Sequence, residues 1–189
     1  MESLNIMIPW SSTRYHYTSK QNSLPAGGGT IKVGADSYVI DSQRDFACLD
    51  FDRRIWKYRS FWNWSSFSAR IGGDTVGVNL GGGWTDGSGT TENSLLINGR
   101  LEKIGEDVIF EYDPHNFMTP WHIKTAFSRQ VDLTFTPFYE RVAKTDAVIL
   151  RYEVHQMIGK FSGTIVSAHG LQFAVSEVIG WAEEHHARW

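Results

Sequence analysis

The sequence predicts an all-β protein: an antiparallel barrel or strongly curved sheet, with a short C-terminal helix. Two observations predict it. The 189 residues include 8 Trp, 7 Tyr and 11 Phe beside 18 Gly and only 5 Pro. Aromatic side chains favour strands, and glycine serves tight turns and bulges. The chain also divides into about a dozen short apolar or alternating runs between turn signals, the spacing of a sandwich or barrel.

The runs follow in order. Leu4 to Ile8 alternates and stops at Pro9, and Arg14 to Thr18 forms a second strand. A flexible turn at Ala26-Gly27-Gly28-Gly29 leads to Thr30–Val33 and Ser37–Asp41. Phe46 to Phe51 sets Ala47, Leu49 and Phe51 opposite Cys48 and Asp50. Tyr58 to Phe67 is long and aromatic, and Thr75 to Leu80 alternates cleanly. Asn98-Gly99 between Leu95–Ile97 and Arg100–Ile104 is a hairpin signal, because both residues accept the positive φ of a type I′ turn. Val108–Tyr112, Trp121–Thr125, Val131–Thr136, Val148–Met157, Phe161–Val166 and Leu171–Val175 continue the series. Ser176 to Trp189 reads as a helix, with Val178, Ala182 and Trp189 near one stripe and Glu184/Arg188 as an i,i+4 pair. With no repeat and no long linker, residues 1–189 form one domain.

Composition narrows the function. Lys and Arg number 18 against 21 Asp and Glu, a formal charge of −3, so broad electrostatic capture of nucleic acid or an anionic membrane is not expected. The single Cys48 excludes an internal disulfide and a cysteine metal cluster, and its apolar strand predicts an inert thiol. No apolar run nears the roughly 20 residues of a membrane span. The first residues lack a signal-peptide layout, so a cytoplasmic location is expected. No cofactor fingerprint or metal-ligand spacing is found, and His185-His186 reads as part of an ion-pair tail; neither a cofactor nor a metal is expected.

Several segments carry candidate chemistry. Asp50 and Asp52 share a strand face about 7 Å apart and suit divided acid and base roles; the same residues also read as a strand end neutralised by Arg53 or Arg59. Trp62 and Trp64 share a face and suit either a pocket floor or core packing. The glycine-dense stretch from Asn79 to Gly89 lacks a phosphate-loop pattern. It carries Trp84 and Asp86, and Glu92 and Asn93 follow closely. Arg151, Glu153 and His155 line one strand face, as a proton relay or a solvated surface; Ile149 and Met157 on that face favour an enclosed lumen.

The chain resembles the family catalogued as domain of unknown function 2804. The resemblance rests on Ser19-Lys20-Gln21-Asn22-Ser23-Leu24-Pro25, Phe46 to Phe51, Trp62-Asn63-Trp64, Asn79-Leu80-Gly81-Gly82, Trp84-Thr85-Asp86-Gly87 and Thr91-Glu92-Asn93. It continues through Gly99-Arg100-Leu101, Lys103 to Asp107, Asp132 to Phe138, Glu140 to Thr145, Glu153 to Met157 and Gly180 to Trp189. The run Asp52 to Lys57 departs from the family's glycine-containing version. Family members resemble lipocalin-like double-barrel proteins, a group that includes carotenoid hydratases, tocopherol cyclases and pericyclic cyclases. The resemblance therefore implies a lipocalin-like barrel. It also implies that the chain corresponds to the C-terminal half of longer relatives, with self-association or a missing N-terminal half as the consequence.

These readings converge on one expectation: a lipocalin-like domain that binds a small, largely apolar molecule. Trp62, Trp64 and Trp84 are the expected walls, and Asn79, Glu92 and Arg151 the polar contacts. Asp50, Asp86, Glu153 and His155 are the candidate catalytic groups of an alternative, a cofactor-independent isomerase, hydratase or cyclase. A third reading is carbohydrate recognition through tryptophans beside carboxylates.

Overall fold

The computed structural model describes residues 1–147 and 150–188. Among them run fourteen strands: β1 (Leu4–Pro9), β2 (Tyr15–Pro25), β3 (Gly29–Val33), β4 (Asp36–Ile40), β5 (Phe46–Arg54), β6 (Arg59–Ile71), β7 (Asp74–Gly82), β8 (Ser94–Ile97), β9 (Arg100–Lys103), β10 (Val108–Glu111), β11 (Trp121–Thr125), β12 (Val131–Ala147), β13 (Leu150–Val166) and β14 (Gln172–Arg188). Nine form one curled antiparallel sheet in the order β10-β11-β12-β13-β14-β6-β7-β8-β9. Three more form the sheet β1-β2-β5, and β3-β4 is a separate hairpin. The all-β, strongly curved architecture expected from the sequence is what forms.

Alternation along the nine-stranded sheet separates two faces. Its concave face gathers Phe67, Val78, Leu80, Leu95, Trp121, Leu133, Phe135, Met157 and Phe161 into one buried apolar core. Its convex face is covered, over β6 and β7, by the three-stranded sheet. Asn22 Nδ2 donates to Ser66 Oγ at 2.7 Å and to the Val78 carbonyl at 2.6 Å, and Ser23 N donates to Ser68 Oγ at 2.8 Å. These bonds dock β2 onto β6 and β7 with buried polar groups satisfied. The turn at Asn98-Gly99 has φ of 51° and 79°, as the hairpin signal requires.

The expected C-terminal helix is a strand. Residues 172–188 form β14, paired with β13 along its length and with β6 from Gly180 to Arg188. Period-two alternation, with Trp181, Glu183 and His185 opposite Ala182, Glu184 and His186, outweighs the single i,i+4 pair because both strand edges are occupied. Gly180 permits this closeness: a Cβ there would lie 2.4 Å from the Ser66 carbonyl oxygen. The two strands expected at 148–157 and 161–166 are one, β13, and β12 runs well beyond Thr136. Val148, Ile149 and Trp189, which the sequence reading used, lie outside the described residues. No described helix is long and apolar enough to cross a membrane.

Candidate functional site

A polar pocket lies between the two sheets. The inner face of the three-stranded sheet presents His16, Thr18 and Lys20 from β2 and Asp50, Asp52 and Arg54 from β5. The convex face of the large sheet presents Trp62 and Trp64 from β6 and Glu183 from β14. Trp84 and Glu92 come from the segment between β7 and β8. The cavity among them measures about 170 Å³.

Its centre is a buried ion pair. Lys20 is 7% exposed and Glu92 is 1% exposed, with Nζ 3.0 Å from Oε2. Lys20 also lies 3.7 Å from Asp50 Oδ2 and 4.0 Å from the centroid of Trp64, a cation–π contact. Burial alone would lower the Lys20 pKa; Glu92 and Asp50 outweigh it and hold the ammonium above its ordinary value. Glu92 is fixed from several sides. Trp84 Nε1 donates to its Oε1 at 2.5 Å, and Asn79 Nδ2 donates to its carbonyl at 2.6 Å. Lys103 Nζ, donating to the carbonyls of Thr91 and Asn93 at 2.5 and 3.1 Å, clamps the flanking residues. Gly81 is what lets the carboxylate in: a Cβ there would sit 2.0 Å from Glu92 Oε1.

Two further carboxyls border the pocket. Asp50, whose side chain is 32% exposed, accepts from Thr18 Oγ1 at 3.4 Å, and burial raises its pKa despite Lys20. Glu183 accepts from Trp62 Nε1 at 3.1 Å and from Gln156 Nε2 at 3.0 Å, and burial raises its pKa as well. Asp52 is the opposite case. Burial opposes its charge, but the His16 imidazole at 3.1 Å and the contacting Arg54 guanidinium prevail and lower its pKa. Two polar atoms of the walls, His16 Nδ1 and Trp56 Nε1, are buried with no hydrogen-bond partner.

The aromatic rings are mostly committed to one another. Trp62 stacks on Trp56, at 5.1 Å between centroids, and meets the tilted His185 ring at 3.9 Å. Trp10 extends the stack beyond Trp56, and Trp84 packs against Ile6 and Ile8. Desolvation against these rings pushes the His185 pKa down to about 4.

The structure thus brings together Asp50, Trp62, Trp64, Asn79, Trp84 and Glu92 from the sequence candidates. Asn79 acts from behind, accepting from Trp64 Nε1 at 2.8 Å. Lys20, His16, Arg54, Trp56 and Glu183 were not singled out for this site. A usable signal for two of them was the alternation His16-Thr18-Lys20-Asn22, which puts a run of polar residues on one strand face. Nothing local marked Glu183, which reaches the pocket only through the β14–β6 pairing.

The other candidates lie elsewhere. Asp86 is exposed in the turn after β7, where its Oδ1 accepts from Gly83 N at 3.0 Å. Arg151, Glu153 and His155 sit on the concave face of β13, with Arg151 exposed and the other two half-buried. His155 contacts Glu140 at 2.7 Å and stacks on Phe117 at 4.3 Å. Glu153 contacts Lys144 at 3.0 Å, and that hydrogen bond lowers its pKa. Cys48 is exposed on β5 and donates to Asn22 Oδ1 at 3.6 Å; partial desolvation and the neighbouring Asp50 push its thiol up to about 11.

Compared with known proteins, the chain matches a family model over residues 1–189, its whole length as given. No curated protein and no solved structure matches it.

Proposed function

We propose that this chain, which belongs to the family described as Domain of unknown function (DUF2804), binds a small molecule in the intersheet pocket and moves a proton on it. The observation that carries the reading is the buried Lys20–Glu92 pair bordering a cavity that Asp50 and Glu183 also line. Taking two charges out of water is expensive, and a pair buried beside carboxyls of raised proton affinity is characteristic of working sites. When one of these two carboxyls carries a proton and the other is ionised, the first donates its proton to one ligand atom while the second removes one from another. The ligand is isomerised, the protons balance, and solvent exchange resets the two carboxyls. Lys20 polarises a carbonyl oxygen placed beside it. The unpartnered His16 Nδ1 and Trp56 Nε1 offer further hydrogen bonds. The cavity is smaller than the roughly 300–1,000 Å³ of drug-sized sites, so the ligand is small.

The test uses cyclohex-3-enone, whose conversion to the conjugated cyclohex-2-enone is followed by absorbance. The reading expects acceleration over buffer by the wild type. It expects losses of about a hundredfold in Asp50→Asn and in Glu183→Gln. No acceleration by the wild type, or unchanged rates in both variants, would contradict it.

One observation favours a second reading, a largely apolar ligand. A groove of about 880 Å³ lies beside the β3–β4 hairpin, lined by Ile31, Tyr38, Val39, Phe46, Val178 and Trp181 among others. It opens where the β14–β6 pairing stops at Gly180 and Phe67. Trp181 Nε1 is buried there with no partner. An isolated hairpin gains stability by covering its apolar face, which a bound chain would do. Titration with dodecanol should shift the Trp181 indole resonance saturably and leave that of Trp84 in place; an unmoved Trp181 removes this reading.

A further inference from the structure

The three-stranded sheet has a second face, turned away from the intersheet pocket. His16 and Lys20 of β2 and Asp50, Asp52 and Arg54 of β5 point into the pocket. Alternation therefore sends Tyr17 and Ser19 of β2, and Leu49, Phe51 and Arg53 of β5, to the other side. In β1, Ile6 and Ile8 are buried while Met7, paired with Tyr17, is exposed, so Met7 joins that face. Ile55 continues the β5 row two residues past Arg53, its N donating to the Tyr15 carbonyl at 2.8 Å.

This outer face is apolar. Met7, Leu49, Phe51 and Ile55 are each about half exposed or more. Tyr17 and Phe51 meet edge to face at 6.4 Å and join the rows of β1 and β5 into one patch. Exposed apolar side chains scattered singly need no explanation, but a contiguous patch marks an interaction surface. Its charge is one-sided. Asp50 and Asp52 are the only acids of the three strands, and both face the pocket. Arg53 stands on the outer face, and Arg14 and Lys57 are exposed at the same end. Lys57 Nζ lies 5.1 Å from the centroid of Trp10, against the turn between β1 and β2 that carries Arg14. Among the described residues, none of these three cations makes an ion pair. Arg54, by contrast, is held by Asp52.

We propose that this face rests on an anionic lipid bilayer, Met7, Leu49, Phe51 and Ile55 entering the headgroup boundary and Arg14, Arg53 and Lys57 meeting acidic headgroups. Apolar burial at that boundary and attraction of cations to acidic lipids are the two contributions that reversible membrane binding combines. The formal charge of −3 does not oppose it, because the carboxylates of these strands are on the other face. A second copy laid on this face would bring no carboxylate to its cations. A nucleic acid would need rings free to stack on bases, where this face offers Met7, Leu49 and Ile55. The inference does not rest on the reaction proposed for the pocket, which lies across the sheet.

The experiment is co-sedimentation of the full chain with vesicles of phosphatidylcholine alone and of phosphatidylcholine with an equal part of phosphatidylserine. The protein should partition onto the mixed vesicles about a hundredfold more strongly than onto the neutral ones. Arg53→Gln combined with Lys57→Gln should weaken that partitioning about thirtyfold, the loss of two headgroup attractions. Phe51→Ser and Leu49→Ser should each weaken it about five- to tenfold through lost apolar burial. All these changes are at exposed positions, and the variants should melt with the wild type. No partitioning, equal partitioning onto both vesicles, or wild-type partitioning by the charge variant or by both apolar variants would overturn the proposal. Dimerisation that Phe51→Ser abolishes, or oligonucleotide binding that the charge variant abolishes, would overturn it too if vesicles are not bound.

Discussion

On the concave side of the large sheet, β6, β7 and β14 contribute Phe67, Leu80 and Ala182 to a core of apolar side chains. On the convex side, at alternate positions along the same strands, they carry Trp64, Asn79 and Glu183, which border a buried ion pair. The two interiors share a backbone and differ in what holds them. The concave one is stabilised by area removed from water and by close packing. The convex one must satisfy each polar group individually, and a missing partner there costs more than a missing methylene. A strand's period of two thus lets one sheet be rigid on one face and chemically loaded on the other.

The largest effect expected of a single change tests the concave side. Phe135 is fully buried, and Phe135→Ala should cost about 4 kcal/mol of unfolding free energy in urea titration. No second substitution nearby should recover that loss, because it comes from a cavity. On the convex side, Glu92→Gln should cost about 3 kcal/mol by leaving the Lys20 charge without its nearest partner. Gly81→Ala should act in the same direction, because its new Cβ displaces the Glu92 carboxylate. Here the loss should be recoverable: Lys20→Met combined with Glu92→Leu should restore most of the stability, as apolar replacement of a buried pair does. Failure of that rescue would make the two interiors alike.

Proton linkage sharpens the contrast more gently. Burial holds Asp50 above the ordinary carboxylate value, so its proton is bound more tightly in the folded state. Its contribution is full below the unfolded pKa of about 4 and is lost as pH rises through the folded value. Asp50→Asn should therefore gain stability relative to the wild type at pH 7 and not at pH 3, as measured by thermal melting. His185 has the opposite sign. Its folded pKa, pushed down to about 4, gives stability present above about pH 6.5 and lost as pH falls toward 4. Quenching of Trp62, whose ring centroid is 3.9 Å from that of His185, should follow that loss. The smallest expected effect is Glu153→Gln, which removes a half-exposed pair with Lys144 and should change stability by under about 0.5 kcal/mol.

These contrasts explain what was readable in the sequence. Alternation in Thr75–Leu80 and the Asn98-Gly99 turn are local, so they announced β7 and the β8–β9 hairpin. The end of β14 misled because Glu184 and Arg188 satisfy helical spacing locally, while the pairing with β6 and β13 that decides the matter is distant in sequence. The site was half legible for the same reason. Trp62, Trp64, Trp84, Asp50 and Glu92 stand out by type and clustering. Lys20 becomes a buried cation only when β2 is laid over β6, and Glu183 enters only from the far end of the chain. Asp86 stood out equally by type, yet it serves a turn.

The most direct test of the convex pocket as a working site is the cyclohex-3-enone isomerisation rate of the Lys20→Met/Glu92→Leu double variant, taken at matched folded concentration. A folded protein of near wild-type stability is expected, with a rate that falls to that of Asp50→Asn. A folded double variant that turns over at the wild-type rate would contradict it, and would leave the buried pair as an ornament of packing.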